Sequence, residues 1–358
     1  MNGRAAGSLR RAVDLAADQA TVAHRARLLP GEVVDALAAA GFFRHFTPAR
    51  WGGAAGNFTD LLHDVAEVGT ACGAASWYAA LGAAVSRIAA HLPEEGQRAI
   101  WSDGPNVLLA GALVPAGRAE PVPGGWRLSG RWPYVSAVEH ARYTLARSTT
   151  AAGESRFFVL PRNAYRTVDT WRSPGMRATA SNSLEAADVF VADAHTFPAV
   201  DLVEGRCRRD GESYLRVPLR AVNGLSFAGP MLGAARGVLA EWWKLVGAGA
   251  TEPYRAEAAA RSEGEIDAAA LLLDRTARTA DDGSVSPREK LRAGRDCALA
   301  AELLVTSVGR LVGSAGTRGQ TEDGRMHRLA TDVVSASTHT MLRFGPAAEA
   351  YVWDRAGA

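Results

Sequence analysis

Trp132, Tyr134 and Ser136 recur at every second position of the stretch SGRWPYVSA (129–137). In an extended strand that spacing turns two aromatic rings and a hydroxyl to one face. Such a face can hold a flat organic molecule, with Ser136 as its hydrogen-bond partner. It can equally be an ordinary strand whose aromatic side chains pack and whose serine caps a turn. A second group with chemical capacity is His339, in TDVVSASTHTMLRFG (331–345). It lies twelve residues after His327, with no neighbouring carboxylate or thiolate to complete a metal site. A lone imidazole of this kind is a proton donor or acceptor, or a half-buried helix histidine bonded to the backbone.

Self-contained residue chemistry is otherwise scarce. The chain has no G-x-G-x-x-G, no phosphate-binding G-x-x-x-x-G-K, no G-x-S-x-G and no H-E-x-x-H. None of its eight histidines forms an i,i+4 pair, and Cys72, Cys207 and Cys297 include no C-x-x-C. No metal site is expected, and an odd set of separated cysteines fits reduced thiols in the cytoplasm. With so few intrinsic reactive groups, a bound organic cofactor becomes the attractive source of chemistry.

Forty basic and 38 acidic side chains leave a formal charge of +2 over 358 residues. That balance supplies no field for nucleic acid or an anionic membrane. Charges interrupt the apolar runs, so no membrane span is expected, and the N-terminus lacks the apolar core of a signal peptide.

Three segments must position these residues. From 1 to 104 the pattern is helical, as in LRRAVDLAADQATVAHRARLL and the alanine-rich stretch 59–92. From 105 to 205 short runs such as NVLLAGALVP, ARYTLARST and SRFFVLP alternate with turn chemistry, which predicts a compact β-barrel or sandwich. From 206 to 358 helical periodicity returns in four long stretches, with Ser286 placed as an N-cap before Pro287, predicting a four-helix bundle. The fold class is therefore α+β: N-terminal helical domain, central barrel, C-terminal bundle.

Read together, the segments and motifs resemble the acyl-CoA dehydrogenase superfamily over residues 10 to 355, and within it the two-component flavin-dependent monooxygenases. The likeness rests on WGGAAGNFTDLL, ACGAASWY, LPEEGQRAIW, GGWRLSGRWPYVS, VDTWRSPGMRATASNS, LGAARGVL and RLATDVVSASTH, in that order. The resemblance implies a reduced flavin, FADH2 or FMNH2, supplied by a separate reductase. It implies O2 as co-substrate and hydroxylation of a small aromatic or polyketide-like molecule through a C4a-hydroperoxide. It places Ser136 near flavin N5, with Trp132 and Tyr134 as apolar surface. The loop carrying Trp171, Gly175, Arg177, Thr179, Ser181 and Asn182 would cross the flavin's other side, though such residues also make polar turns.

Dehydrogenases of the superfamily use a glutamate as base on the last helices. Here that stretch offers no carboxylate after Asp332 and presents His339 instead; Glu349 lies in the unmatched PAAEAYVW. In the hydroxylase reading Ser136 steadies the oxygen adduct, and His339 activates the substrate oxygen or assists the peroxide. Two positions depart from the family pattern: Thr331 where an arginine is common, and Ala112 where a hydroxyl is common. Gly313, Ser314 and Gly316 resemble the turn that meets the adenosine-diphosphate half of FAD on a neighbouring subunit, and the family commonly assembles as homotetramers, with a homodimer as the other option. The competing readings are an acyl-CoA or acyl-carrier dehydrogenase with a relocated base, and a flavin-binding homologue without turnover.

Overall fold

The computed structural model describes residues 6–207, 212–247 and 252–356. Helices α1 (Ala6–Ala26), α2 (Gly31–Ala39), α3 (Phe58–Ala71), α4 (Gly73–Ala89) and α5 (Glu94–Trp101) come first. Asn57 caps α3 by accepting from the backbone N–H of Asp60 at 2.7 Å. The long apolar stretch 59–92 is two helices rather than one, because Cys72 adopts an extended conformation (φ −154°, ψ 115°). Ser76 Oγ donates to the Val65 carbonyl across that break.

Seven strands follow: β1 (Leu109–Val122), β2 (Gly125–Val135), β3 (Tyr143–Thr150), β4 (Ser155–Pro161), β5 (Arg166–Val168), β6 (Asn182–Ala192) and β7 (Thr196–Pro198). They form one mixed sheet in the order β5-β6-β2-β1-β3-β4-β7, antiparallel except for the β1–β3 pair. The expected closed barrel is corrected here. The ladder ends at β5 and β7, strands of three residues each, which do not pair with one another. The sheet nevertheless covers its own core, built on Leu128, Trp132, Val135, Phe158, Leu160 and Leu184.

After the short α6 (Ala199–Val203) and α7 (Leu219–Val222) come α8 (Leu225–Val246), α9 (Pro253–Asp281), α10 (Pro287–Ala315), α11 (Arg325–Ser337) and α12 (Phe344–Ala356). Ser286 caps α10 in a full capping box with Glu289. Helices α8, α9, α10 and α11 pack on one another, and α8 also lies along α3. The α3–α8 approach is backbone to backbone: a Cβ on Gly233 would sit 2.2 Å from the Ala66 carbonyl oxygen. Contrary to the reading of the sequence, one stretch, Pro287–Gln320, is long and apolar enough to cross a membrane. In the fold its side carrying Cys297, Ala301, Leu304, Val308 and Leu311 is buried, and it contacts α8, α9, α11 and α12.

Candidate functional site

Strand β2 ends at the motif 129–137 with a β-bulge. Trp132 pairs with Leu184 and Val135 with Asn182, so three steps on one strand face two on the other. The extra residue breaks the alternation expected from sequence. Trp132 is fully buried in the sheet core, its indole N–H donating to the Arg147 carbonyl at 2.8 Å. Tyr134, two residues on, is 75% exposed. Its ring meets Trp171 edge to face, with centroids 6.3 Å apart. Ser136 points inward again and is buried.

A continuous hydrogen-bond chain runs from Ser136. Trp77 Nε1, on α4, donates to Ser136 Oγ at 3.1 Å. Ser136 Oγ and Ser181 Oγ are 2.7 Å apart, as are Ser181 Oγ and Thr179 Oγ1. Thr179 Oγ1 donates to the Met176 carbonyl at 2.8 Å. Both ends are fixed, since an indole N–H can only donate and a carbonyl can only accept. The protons between them therefore run one way: Ser136 gives its proton to Ser181, and Ser181 gives its own to Thr179. Ser136 Oγ keeps one lone pair to offer and no proton.

The backbone around this chain is strained. Among the described non-glycine residues with positive φ are Tyr134 (60°), Ala137 (63°), Met176 (51°) and Ala180 (44°), all flanking the hydroxyls. Such conformations cost about 1–3 kcal/mol each and concentrate where a site demands them. Helix α11 holds the Met176 end of this region. Asp332 Oδ1 accepts from the Met176 N–H at 2.5 Å, and Ser335 Oγ from the Gly175 N–H at 3.0 Å. Met176 in turn accepts from the Trp171 indole at 3.0 Å, and Asn182 Oδ1 takes the Thr170 and Trp171 N–H groups at 3.1 Å each. Burial raises the Asp332 carboxyl to about 6, opposed by the Met176 N–H and by Arg328.

Just past α11 stands His339. Its Nδ1 accepts from the Met341 N–H at 3.3 Å, which assigns the ring proton of the neutral form to Nε2. Burial depresses its pKa to about 4, so the ring is neutral near pH 7. It stacks on Phe227 of α8 with centroids 3.6 Å apart and meets Trp77 edge to face at 6.2 Å. Trp77 therefore links the hydroxyl chain to the imidazole.

Of the residues expected from sequence, Ser136, Thr179 and Ser181 meet in one chain, Tyr134 and Trp171 pair beside it, and His339 is reached through Trp77. Trp132 lies in the sheet core. Arg177 is tied by Nε to the His24 carbonyl of α1 at 3.0 Å. Gly313, Ser314 and Gly316 close α10, where Ser314 Oγ accepts from Trp242 Nε1 at 2.8 Å. Trp242 lies fifteen residues beyond Phe227 on α8, or about 22 Å along the helix axis. Sequence reasoning passed over Trp77, Phe227 and Asp332. Trp77 and Asp332 sat inside quoted motifs, and Phe227 carried no signal beyond an apolar position.

The donor and acceptor set fits the flavin implied by the motifs. An aromatic pair, the exposed Tyr134 and the half-buried Trp171, adjoins a buried hydroxyl whose remaining lone pair accepts an N–H, and a reduced flavin ring presents N–H at N5 where the oxidised ring presents a lone pair.

Comparison with known proteins agrees. Residues 225–344 match the family described as Acyl-CoA dehydrogenase, C-terminal domain. The FADH(2)-dependent resorcinol hydroxylase, oxygenase component, of Rhizobium sp. (strain MTP-10005) is 32% identical over 68% of this chain, and the match spans 61% of that protein. The flavin-dependent monooxygenase, oxygenase subunit HsaA, of Rhodococcus jostii (strain RHA1) is 25% identical over 87% of this chain and 88% of its own. Among solved structures, XiaF from Streptomyces sp., in complex with FADH2 and glycerol, superposes with a TM-score of 0.92 at 23% identity, covering 98% of this chain and 94% of XiaF.

Proposed function

The chain belongs to the acyl-CoA dehydrogenase superfamily, among its two-component flavin-dependent monooxygenases, and on that premise we propose that it is an oxygenase component hydroxylating a small aromatic molecule. Reduced flavin, FADH2 or FMNH2 delivered by a separate reductase, supplies the two electrons that divide O2 between a new hydroxyl group and water. Ser136, Thr179, Ser181, Tyr134 and Trp171 would hold it. Ser136 accepts an N–H, the strained loop 176–180 shapes the polar edge, and Tyr134 with Trp171 supplies aromatic surface. His339 donates from Nε2 to an oxygen of substrate; taking a proton there would require giving up the Met341 bond. Gly313, Ser314 and Gly316 serve the adenosine half of FAD on a neighbouring copy, in a cytoplasmic homotetramer.

The observation that carries this reading is the one-way hydroxyl chain ending on Ser136 and coupled through Trp77 to a neutral imidazole. Neither carboxylate near the end of the chain that the dehydrogenase alternative could call on is placed as a free base. Asp332 is committed to the Met176 N–H, and Glu349 is exposed on α12. The test is to mix the protein with photoreduced flavin and a phenol in air, and to measure hydroxylated product against hydrogen peroxide. Product formation supports the reading; bleaching of bound oxidised flavin by acyl-CoA, without product, replaces it with the dehydrogenase.

The polarity of the chain makes a separate prediction. Ser181→Ala removes the acceptor of the Ser136 proton, so Ser136 becomes free to donate. Affinity for oxidised flavin should rise relative to reduced flavin by about 3- to 10-fold, the scale of one hydrogen bond. Paired anaerobic and aerobic titrations read that ratio, and an unchanged ratio would show that the proton order is not what sets it.

A further inference from the structure

Beside Phe227 lies an apolar cavity of about 50 Å³ between α3, α4 and α8, walled by Phe46, Phe58, Leu81, Ile88 and Leu113. Arg87 of α4 reaches it and is only 2% exposed. Nε donates to the Tyr214 carbonyl at 2.9 Å and Nη2 to that of Val217, while Nη1 makes no hydrogen bond to a described residue. The guanidinium lies over the Phe58 ring, 5.5 Å from its centroid. No carboxylate pairs with it among the described residues; the cavity's other polar side chains, Asn223 and Ser226, are neutral.

From this arrangement we propose that Arg87 reads an anionic arm, a carboxylate, on the aromatic substrate. The proposal rests on the hydroxylase reading above and names the substrate class more closely. A buried cation held only by carbonyls is costly until an anion joins it, and guanidinium matches a carboxylate in shape and charge. Burial already pulls the Arg87 pKa down to about 10, the direction of a charge short of partners. Volume sets the division of the ligand. An apolar cavity that takes benzene measures about 150 Å³, so this one admits an arm and not a ring. The ring then belongs on the His339 side of Phe227, with the arm passing Phe227 toward Arg87.

The test uses 3-(4-hydroxyphenyl)propionate, its neutral alcohol 3-(4-hydroxyphenyl)propanol and the corresponding propylamine. Binding to the full chain without flavin is read by tryptophan fluorescence and calorimetry, and turnover is read separately. The acid should bind at least about tenfold tighter than the alcohol, with the amine weakest. Arg87→Met should erase the preference and Arg87→Lys keep part of it. Because Arg87 also ties down residues 214 and 217, Ser226→Asp is the second variant. It leaves those bonds intact, sets a carboxylate in the cavity wall, and should bring the acid to the alcohol's affinity. Equal or undetectable binding of acid and alcohol by the wild type overturns the proposal, as does an acid preference that survives Ser226→Asp. Hydroxylation of neutral phenols with no acid preference would sink the arm and spare the hydroxylase. Acid preference without any hydroxylation would do the reverse.

Discussion

Gly175→Val is expected to abolish flavin binding, raising the dissociation constant for reduced flavin by about 100-fold or more while most of the helical framework still folds. The cause is contact with backbone. A Cβ on Gly175 would lie 2.1 Å from the Thr331 carbonyl oxygen of α11 and 2.7 Å from Ser335 Oγ. A helix carbonyl cannot turn aside as a side chain can, so the loop must lift away. Lifting breaks the 3.0 Å bond to Ser335 and the 2.5 Å bond to Asp332. The carboxylate is then left buried without its donor, a loss of about 1–3 kcal/mol. It also frees the Met176 carbonyl, on which the Trp171 indole and the Thr179 hydroxyl both converge. The hydroxyl chain then loses its fixed end. Gly294→Ala is the matched control, because a Cβ there meets nothing within 4 Å; its melting temperature should hold or rise slightly. An unchanged flavin affinity in the valine variant would mean that the α11 contact does not shape the site.

This dependence explains which parts of the site were legible in the sequence. Ser136, Thr179 and Ser181 could be singled out through the motif resemblance, and the structure joins their hydroxyls in one chain. Their partners could not. Trp77 is 59 positions from Ser136, and Asp332 is 156 from Met176. Nothing local in an alanine-rich helix or a bundle helix marks the one side chain that reaches across. Trp132 shows the opposite failure. A period of two placed it beside Tyr134, and a single inserted residue sent one ring into the core and the other to solvent. A bulge is one residue of miscount, and the sequence between two strands does not announce it.

At the level of the fold, the order helix, sheet, helix was legible because composition changes near residues 105 and 206, and the capping of α10 because Ser286 and Pro287 are local chemistry. Barrel closure was not legible. It turns on whether β5 and β7, three residues each, pair across a gap, a question of strand tilt that periodicity does not encode. The hydropathy of α10 is ambiguous in the same way, since an alanine-rich core helix and a membrane span can share a composition. Arg87 belongs with these cases. Nothing in AAVSRIAAHLP marks it, and its burial comes from distant neighbours, the Tyr214 and Val217 carbonyls and the Phe58 ring of α3.

His339→Ala should leave flavin binding and flavin consumption nearly intact while cutting hydroxylated product about 100-fold, with hydrogen peroxide rising to match. The magnitude is that of removing one oriented donor from a desolvated site. His339→Gln is the informative companion, because an amide N–H is a neutral donor; it should recover roughly a tenth of the product yield. A free base cannot be replaced by glutamine, so the two variants separate donation from proton abstraction. The pH dependence follows from burial. With a folded pKa of about 4 against the ordinary 6.5, the ring stays neutral from pH 8 down to about 5. Product yield per flavin should therefore be flat across that range as far as this residue is concerned. The linkage has a definite sign: the unfolded chain binds the proton more readily, so the stability associated with neutral His339 is full above pH 6.5 and is lost as pH falls from there toward 4. Melting temperatures of the wild type and His339→Gln should accordingly converge as the solution is acidified. If instead the wild-type yield inflects near pH 6.5 and the glutamine variant lacks that inflection, the imidazole titrates freely during turnover, and its place as a fixed neutral donor is lost.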